Sequence, residues 1–290
     1  MRLTLERRRW IWAYLFLVVP LVFFLSIRIG PTLYAFWMSL HEWDPIALDR
    51  PFIGLENFRE LGGDETFWKA LRNTWVYVLV GVPAGLVISL LVALGLQRLV
   101  RFVGAYRVLY FLPYITSLVA VGWVWRWMYM PNGLFNDILG SLGLPTSKFL
   151  GSPDTAIYAI IATTVWHGLG FQVVIFLAGL ESIPQDYLDA AAVDGANAWQ
   201  RFRFVTLPGL GSMIRLSVFF SLLGSLQFFD MIVALTKGGP LNSTHTMVSF
   251  LYYFGIGRMK VGFGSAVGVV LFILCASVAF GYKRIFMKDD

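Results

Sequence analysis

His167 and Gln172 in one apolar run, and Gln227 and Asp230 in another, carry hydrogen-bonding groups where the surrounding residues offer none. Polar side chains at membrane depth are costly, so each is a candidate for function. Together with Trp166 and Phe228, and with Phe171 and Phe229, they supply donors, acceptors and flat aromatic faces. The competing reading is structural, since Gln and His side chains also hydrogen-bond neighbouring helices. Asp230 stands near the outer end of its run, where a carboxylate reaches water or caps backbone. Arg126, at the end of an earlier run, can snorkel to the interface.

Metal chemistry and covalent catalysis find little to build on. His41, His167 and His245 are far apart in sequence, with no HExxH and no carboxylate at ligand spacing, so neither metal ligands nor catalytic residues are expected. Cys275 is the one cysteine and lies in an apolar run, which rules out an intrachain disulfide or a thiolate cluster. No GxxxxGK[ST] loop occurs, so any ATP that drives this protein is bound by another chain.

A second constellation lies in the polar insert between two of the apolar runs, residues 182–208. Ser182 and Gln185 have capping-box spacing, and Pro184 suits a first helical turn. On the helix that follows, Tyr187, Ala190, Ala191 and Asp194 recur at i, i+3, i+4 and i+7, giving a face of mostly short side chains. Such a face lets a partner's backbone come close. Gly195 can take positive φ and end that helix. Asn197 can cap a second helix bearing Trp199, Phe202 and Phe204, which Pro208 separates from the next run. A helix that merely rests on lipid would favour basic residues on its polar face. Asp186, Asp189 and Asp194 argue instead for protein docking.

The elements that must position both sets are membrane helices. Hydrophobic residues make up 58% of the 290 and charged residues 14%, with a mean hydropathy of +0.69, far from the balance of a soluble domain. The net charge of +6 comes from Arg and Lys at the ends of apolar runs, not from a basic stripe, so no nucleic-acid partner is expected. Crossing the hydrocarbon of a bilayer takes about 20 helical residues. Six stretches qualify: 11–28, 74–96, 105–128, 156–180, 211–235 and 262–282. The fold class expected is all-α and integral to the membrane, one six-helix domain over 1–290, with a helix-turn-helix between the fourth and fifth spans. Kinks are expected at Pro20, Pro83 and Pro113. Arg7, Arg8 and Arg9 precede the first span, which reads as an uncleaved anchor because no small-x-small site closes it.

Positive charge marks the cytoplasmic side. With the N-terminus inside, thirteen Arg and Lys are cytoplasmic (Arg2, Arg7, Arg8, Arg9, Arg98, Arg101, Arg107, Arg201, Arg203, Arg215, Lys283, Arg284, Lys288) against eight outside (Arg50, Arg59, Lys69, Arg72, Lys148, Lys237, Arg258, Lys260). Both termini and the 182–208 loop are then expected in the cytoplasm.

The loop resembles the EAA loop of ABC-importer permeases, with Asp189-Ala190-Ala191, Gly195, Val205 and Leu207-Pro208 in the motif positions. Gly54-Leu55-Glu56-Asn57-Phe58, Ile183-Pro184, Asp194-Gly195-Ala196, Phe229-Asp230 and Thr236-Lys237-Gly238-Gly239-Pro240 resemble the carbohydrate branch of those permeases, the maltose and glycerol 3-phosphate type. The resemblance implies a bacterial inner-membrane protein paired with a second, homologous permease. A dimer of ATPase subunits would hold ATP and Mg below, and an extracytoplasmic binding protein would deliver a sugar above. Transport would run by alternating access. It also implies that Asp189, Ala190, Ala191, Asp194, Gly195, Ala196, Trp199, Leu207 and Pro208 dock the ATPase, and on that reading Trp166, His167, Gln172, Gln227, Phe228 and Asp230, chosen for their polarity and ring faces at membrane depth, are the candidates for a sugar path. Asp189 stands where the family usually has Glu, one methylene longer. A self-contained carrier driven by an ion gradient is the alternative, although neither internal repeats nor intramembrane ion sites are evident. A membrane enzyme lacks a nucleophile set beside a base and an orienting acid.

Overall fold

The computed structural model describes residues 5–97 and 103–286, and every regular element among them is helical. Arg2, Arg98, Arg101 and Lys288, counted above for topology, lie outside the described residues. In chain order the helices are α1 (Arg9–Met38), α2 (Glu56–Gly63), α3 (Glu65–Gln97), α4 (Gly104–Ile115), α5 (Leu118–Met128) and α6 (Leu134–Ser141). After these come α7 (Pro153–Glu181), α8 (Gln185–Val193), α9 (Ala198–Gly209), α10 (Gly211–Leu226), α11 (Asp230–Leu235), α12 (Met247–Ile256) and α13 (Val261–Phe286).

Four helices, α1, α3, α7 and α13, are each long and apolar enough to cross a membrane, and they contain the expected stretches 11–28, 74–96, 156–180 and 262–282. The stretches 105–128 and 211–235 are not straight rods. The first turns through 95° between α4 and α5. Pro113 lies in the last turn of α4, where it cannot donate a backbone bond. The Thr116 hydroxyl takes up the Leu112 carbonyl at 2.7 Å, and the chain turns at Ser117. The second stretch loses its helix at residues 227–229, between α10 and α11. Counting α4 with α5, and α9 with α10, each as one bent span, the structure offers up to six.

Proline and widened helical turns go together in this chain. Four π-turns occur among the described residues, at Leu25–Ile29, Tyr77–Gly81, Phe202–Thr206 and Leu251–Ile256. Pro31, Pro83 and Pro208 each stand two residues beyond one of the first three. The proline ring collides with the carbonyl four residues back and offers it no N–H, so a turn bonded i to i+5 relieves both problems without ending the helix. Pro20 sits inside α1 with helix on both sides.

Two compact units emerge, residues 1–64 with 251–272, and residues 65–250 with 273–290. In the first, buried Asn57 donates to the carbonyls of Ser39 and His41 at 2.8 and 3.0 Å, which gives the Gly54–Phe58 motif a structural role. In the second, α7 packs along α3 and against α4. Gly170 makes that possible, because a Cβ there would lie 2.8 Å from the Phe111 Cα and closer still to the Tyr110 carbonyl. Two apolar clusters occupy opposite ends of α7. One joins Ile157, Ile160 and Ile161 to Val121, Met231 and Leu235. The other joins Val173, Phe176, Leu177 and Leu180 to Ala93, Leu96 and Leu210. The polar middle of α7 lies between them.

Candidate functional site

Thr164, His167, Gly168, Phe171 and Gln172 fall on one face of α7 and open onto a cavity of about 300 Å3. The facing wall is a stripe on α3, Tyr77, Gly81, Gly85 and Ser89, spaced by four and so aligned along the helix. Ser221, Ser225 and the break between α10 and α11 complete the lining. Irregular backbone survives at membrane depth where it borders a cavity and its polar groups find partners. Here the Phe228 carbonyl, released from helix, accepts from the Thr246 hydroxyl at 2.6 Å.

The cavity brings together His167, Gln172, Gln227, Phe228 and Asp230, five of the six residues expected on a substrate path. Gln172 Nε2 donates to Ser221 Oγ at 2.6 Å, tying α7 to α10. Its Oε1, with Ser89 Oγ and His167 Nε2, is buried and has no protein partner. Gln227 and Asp230 are exposed at the break, Asp230 as the first residue of α11. Tyr77 and Phe228 stack with centroids 4.5 Å apart and planes 10° apart. Tyr114 and Phe171 stack at 5.3 Å.

Trp166 is the exception. It lies against Trp125 at 5.0 Å and lines a separate apolar cavity in the elbow of α4 and α5, with Pro113 and Val124. Neighbouring helical residues point roughly 100° apart, and that turn puts Trp166 on the side of α7 that meets Trp125 of α5. Arg126 is also elsewhere, in a cavity with Tyr129, Lys148 and Thr236. Sequence reasoning missed the α3 stripe, although Gly81, Gly85 and Ser89 at four-residue spacing in an aliphatic span are a readable signal.

The loop is built by local hydrogen bonds. Gly195 has φ +79°. Its N–H reaches the Ala192 carbonyl at 3.1 Å while that of Ala196 reaches Ala191 at 2.9 Å, the paired bonds of a Schellman cap. Asn197 and Gln200 then form a reciprocal capping box at 2.8 and 2.9 Å. The expected box at Ser182 is absent. The Ser182 hydroxyl donates back to the Gly179 carbonyl at 2.7 Å, Gln185 reaches forward to Asp189 at 3.0 Å, and Pro184 takes the N-cap place with no side-chain bond. Nor does Pro208 close the second helix. It lies within α9, which continues to Gly209, and the chain bends by 66° at Leu210. Leu210 is fully buried in the cluster at the end of α7, and Leu207 beside it is half-buried.

On the loop's surface Asp189, Ala190, Asp194 and Gly195 are exposed, with Ala191 and Ala196 half-buried. Val193 is 89% exposed, Phe204 73% and Trp199 68%. The chain thus projects a short helix with small side chains, closed by a Schellman cap, followed by a second helix opened by a capping box, flanked by large apolar side chains and rooted at its far end in the core.

A family profile described as the binding-protein-dependent transport system inner membrane component matches residues 65–288. The chain is similar to the trehalose/maltose transport system permease protein MalF of Thermococcus litoralis, 33% identical over 281 residues, with 95% of this chain and 94% of the relative covered. It is also similar to the multiple sugar-binding transport system permease protein MsmF of Streptococcus mutans, 31% identical with 92% of each chain covered. Among solved structures, a chain of a bacterial alginate ABC transporter, crystallised with an alginate pentasaccharide-bound periplasmic protein, superposes with a TM-score of 0.86. That match covers 98% of this chain and 97% of the other at 22% identity, a likeness of fold.

Proposed function

The chain belongs to the inner-membrane components of binding-protein-dependent transport systems, as a carbohydrate ABC-importer permease, and from that premise we propose how it works. It forms half of a translocation path with a second, homologous permease. ATPase subunits drive the path between inward-open and outward-open states by gripping the helix-turn-helix of α8 and α9. A binding protein delivers the sugar or oligosaccharide from outside. Both termini face the cytoplasm.

The observation that carries the coupling role is the exposed, doubly capped α8–α9 loop rooted through Leu210. A rigid element of this kind passes a push to the helices it is anchored to, where a flexible one would absorb it. The cavity beside α7 is the path's polar station, its unpartnered Ser89, His167 and Gln172 atoms available to hydroxyl groups. The names of relatives and fold neighbours range from trehalose and maltose to alginate, an acidic polysaccharide, so membership alone leaves the cargo's charge open.

Proteoliposome uptake tests the reading. The chain reconstituted with its permease partner, ATPase subunits and binding protein should accumulate an oligosaccharide only when ATP is supplied on the loop side, and Gly195→Leu should abolish accumulation. Gradient-driven uptake by the chain alone would establish the carrier alternative instead.

A further inference from the structure

The polar cavity beside α7 has an uneven supply of hydrogen-bonding groups. Gln172 Oε1 and the Asp230 carboxylate can only accept, while the Ser89 hydroxyl and His167 Nε2 are also buried without a protein partner. Among the described residues no Lys or Arg lines this cavity, and Asp230 is the charged side chain there. Arg126 and Lys148, basic residues of the same compact unit, line a different cavity. The stacked Tyr77 and Phe228 rings add a flat apolar surface.

Resting on the importer reading, we propose that this cavity selects uncharged, hydroxyl-rich saccharides and rejects acidic ones. A sugar hydroxyl donates and accepts, so it satisfies Gln172 Oε1, the Asp230 carboxylate and the Ser89 hydroxyl alike. A uronate carboxylate has no proton to give to either acceptor. It would also enter as an ion without a cationic partner, and desolvating an unpaired ion is heavily penalised. Repulsion from Asp230 opposes it further, and at protein dielectric such a like-charge pair is worth a factor of about ten or more in affinity.

The test uses the full chain in lipid nanodiscs, with no binding protein present to pre-select the sugar, and saturation-transfer NMR at pH 7. The probes are maltose and digalacturonate, matched in ring number and differing in charge. Maltose should bind at least about tenfold more tightly than digalacturonate. Asp230→Asn should narrow that gap about tenfold by improving digalacturonate binding, with an unchanged melting temperature as the check on folding. Equal or tighter binding of digalacturonate by the wild type, or an unchanged ratio in Asp230→Asn, overturns the proposal. If neither probe binds while the complete transporter still carries out ATP-driven oligosaccharide uptake, the charge-selective cavity fails and the importer reading stands. If that uptake is missing as well, both fail.

Discussion

The α8–α9 loop and the cavity beside α7 use polar residues in opposite ways. In the loop, polar groups spend their hydrogen bonds on their own backbone: Asn197 with Gln200, and the amides of Gly195 and Ala196 with Ala192 and Ala191. The result is a shape closed mainly on itself, with Arg201 Nε the buried side-chain atom of α9 left without a partner. In the cavity, Ser89, His167 and Gln172 each keep a polar atom without a protein partner. A part that transmits force must be finished before its partner arrives, while a part that handles cargo needs bonds still to make. Changes in the loop should therefore affect coupling and leave the fold intact, whereas changes around the cavity should affect the fold or the cargo.

The largest effect expected is on the loop's exposed small-residue face. Ala190→Trp should reduce ATP-driven uptake about a hundredfold, the size of an interface hot spot. The melting temperature should stay within about two degrees, because Ala190 is exposed and its loss of smallness strains nothing internal. A large fall in melting temperature would erase the distinction between the two regions.

Gly170→Val comes next and should do the reverse. Its side chain would press on the Tyr110 and Phe111 backbone of α4, and overpacking of this kind costs about 1–3 kcal/mol. Thermal denaturation in detergent should show the loss directly.

Acid should also act on the cavity side. His245 is 2% exposed. It lies in the segment after α11, where Asn73 Nδ2 holds the Ser243 and His245 carbonyls at 2.6 and 2.9 Å and the adjacent Thr246 braces Phe228. Burial pulls the imidazole down to about 4 from its usual 6.5. The folded protein keeps it neutral while an unfolded chain takes up a proton below about pH 6.5, so this contribution to stability is whole above that pH and drains away toward pH 4. Melting temperature should decline across that window, and His245→Gln should flatten the decline.

The smallest effect expected is Asn197→Ala, which removes the capping box for about 1 kcal/mol. Hydrogen exchange at the amides of Ala198 to Gln200 should quicken, and uptake should fall far less than in Ala190→Trp.

What could be read from the sequence follows from how local each cause is. Gly195 and Asn197 were legible because a positive φ and a cap depend on residues within one turn. Ser182 has the same spacing, yet its hydroxyl turned back to Gly179, a choice that spacing does not determine. The cavity residues stood out singly through the cost of placing them in apolar runs. Trp166 offers the flat face a sugar path needs, but the turn of α7 carries that face to Trp125 and away from His167. Pro113 announced a kink but not a 95° corner, and the break at residues 227–229 has neither proline nor glycine to mark it. The apolar stretch of α12 is too short to stand out in the sequence as a span.

The central claim is that an ATPase grips the α8–α9 loop, and site-directed photocrosslinking in native membranes tests it most directly. A photoreactive amino acid at Ala190 of the full chain, expressed with its neighbouring genes, should crosslink to a subunit that peptide sequencing shows to carry a GxxxxGK[ST] loop. The yield should change when ATP is added. Crosslinks from Ala190 to lipid alone, or to an extracytoplasmic protein, would contradict the account.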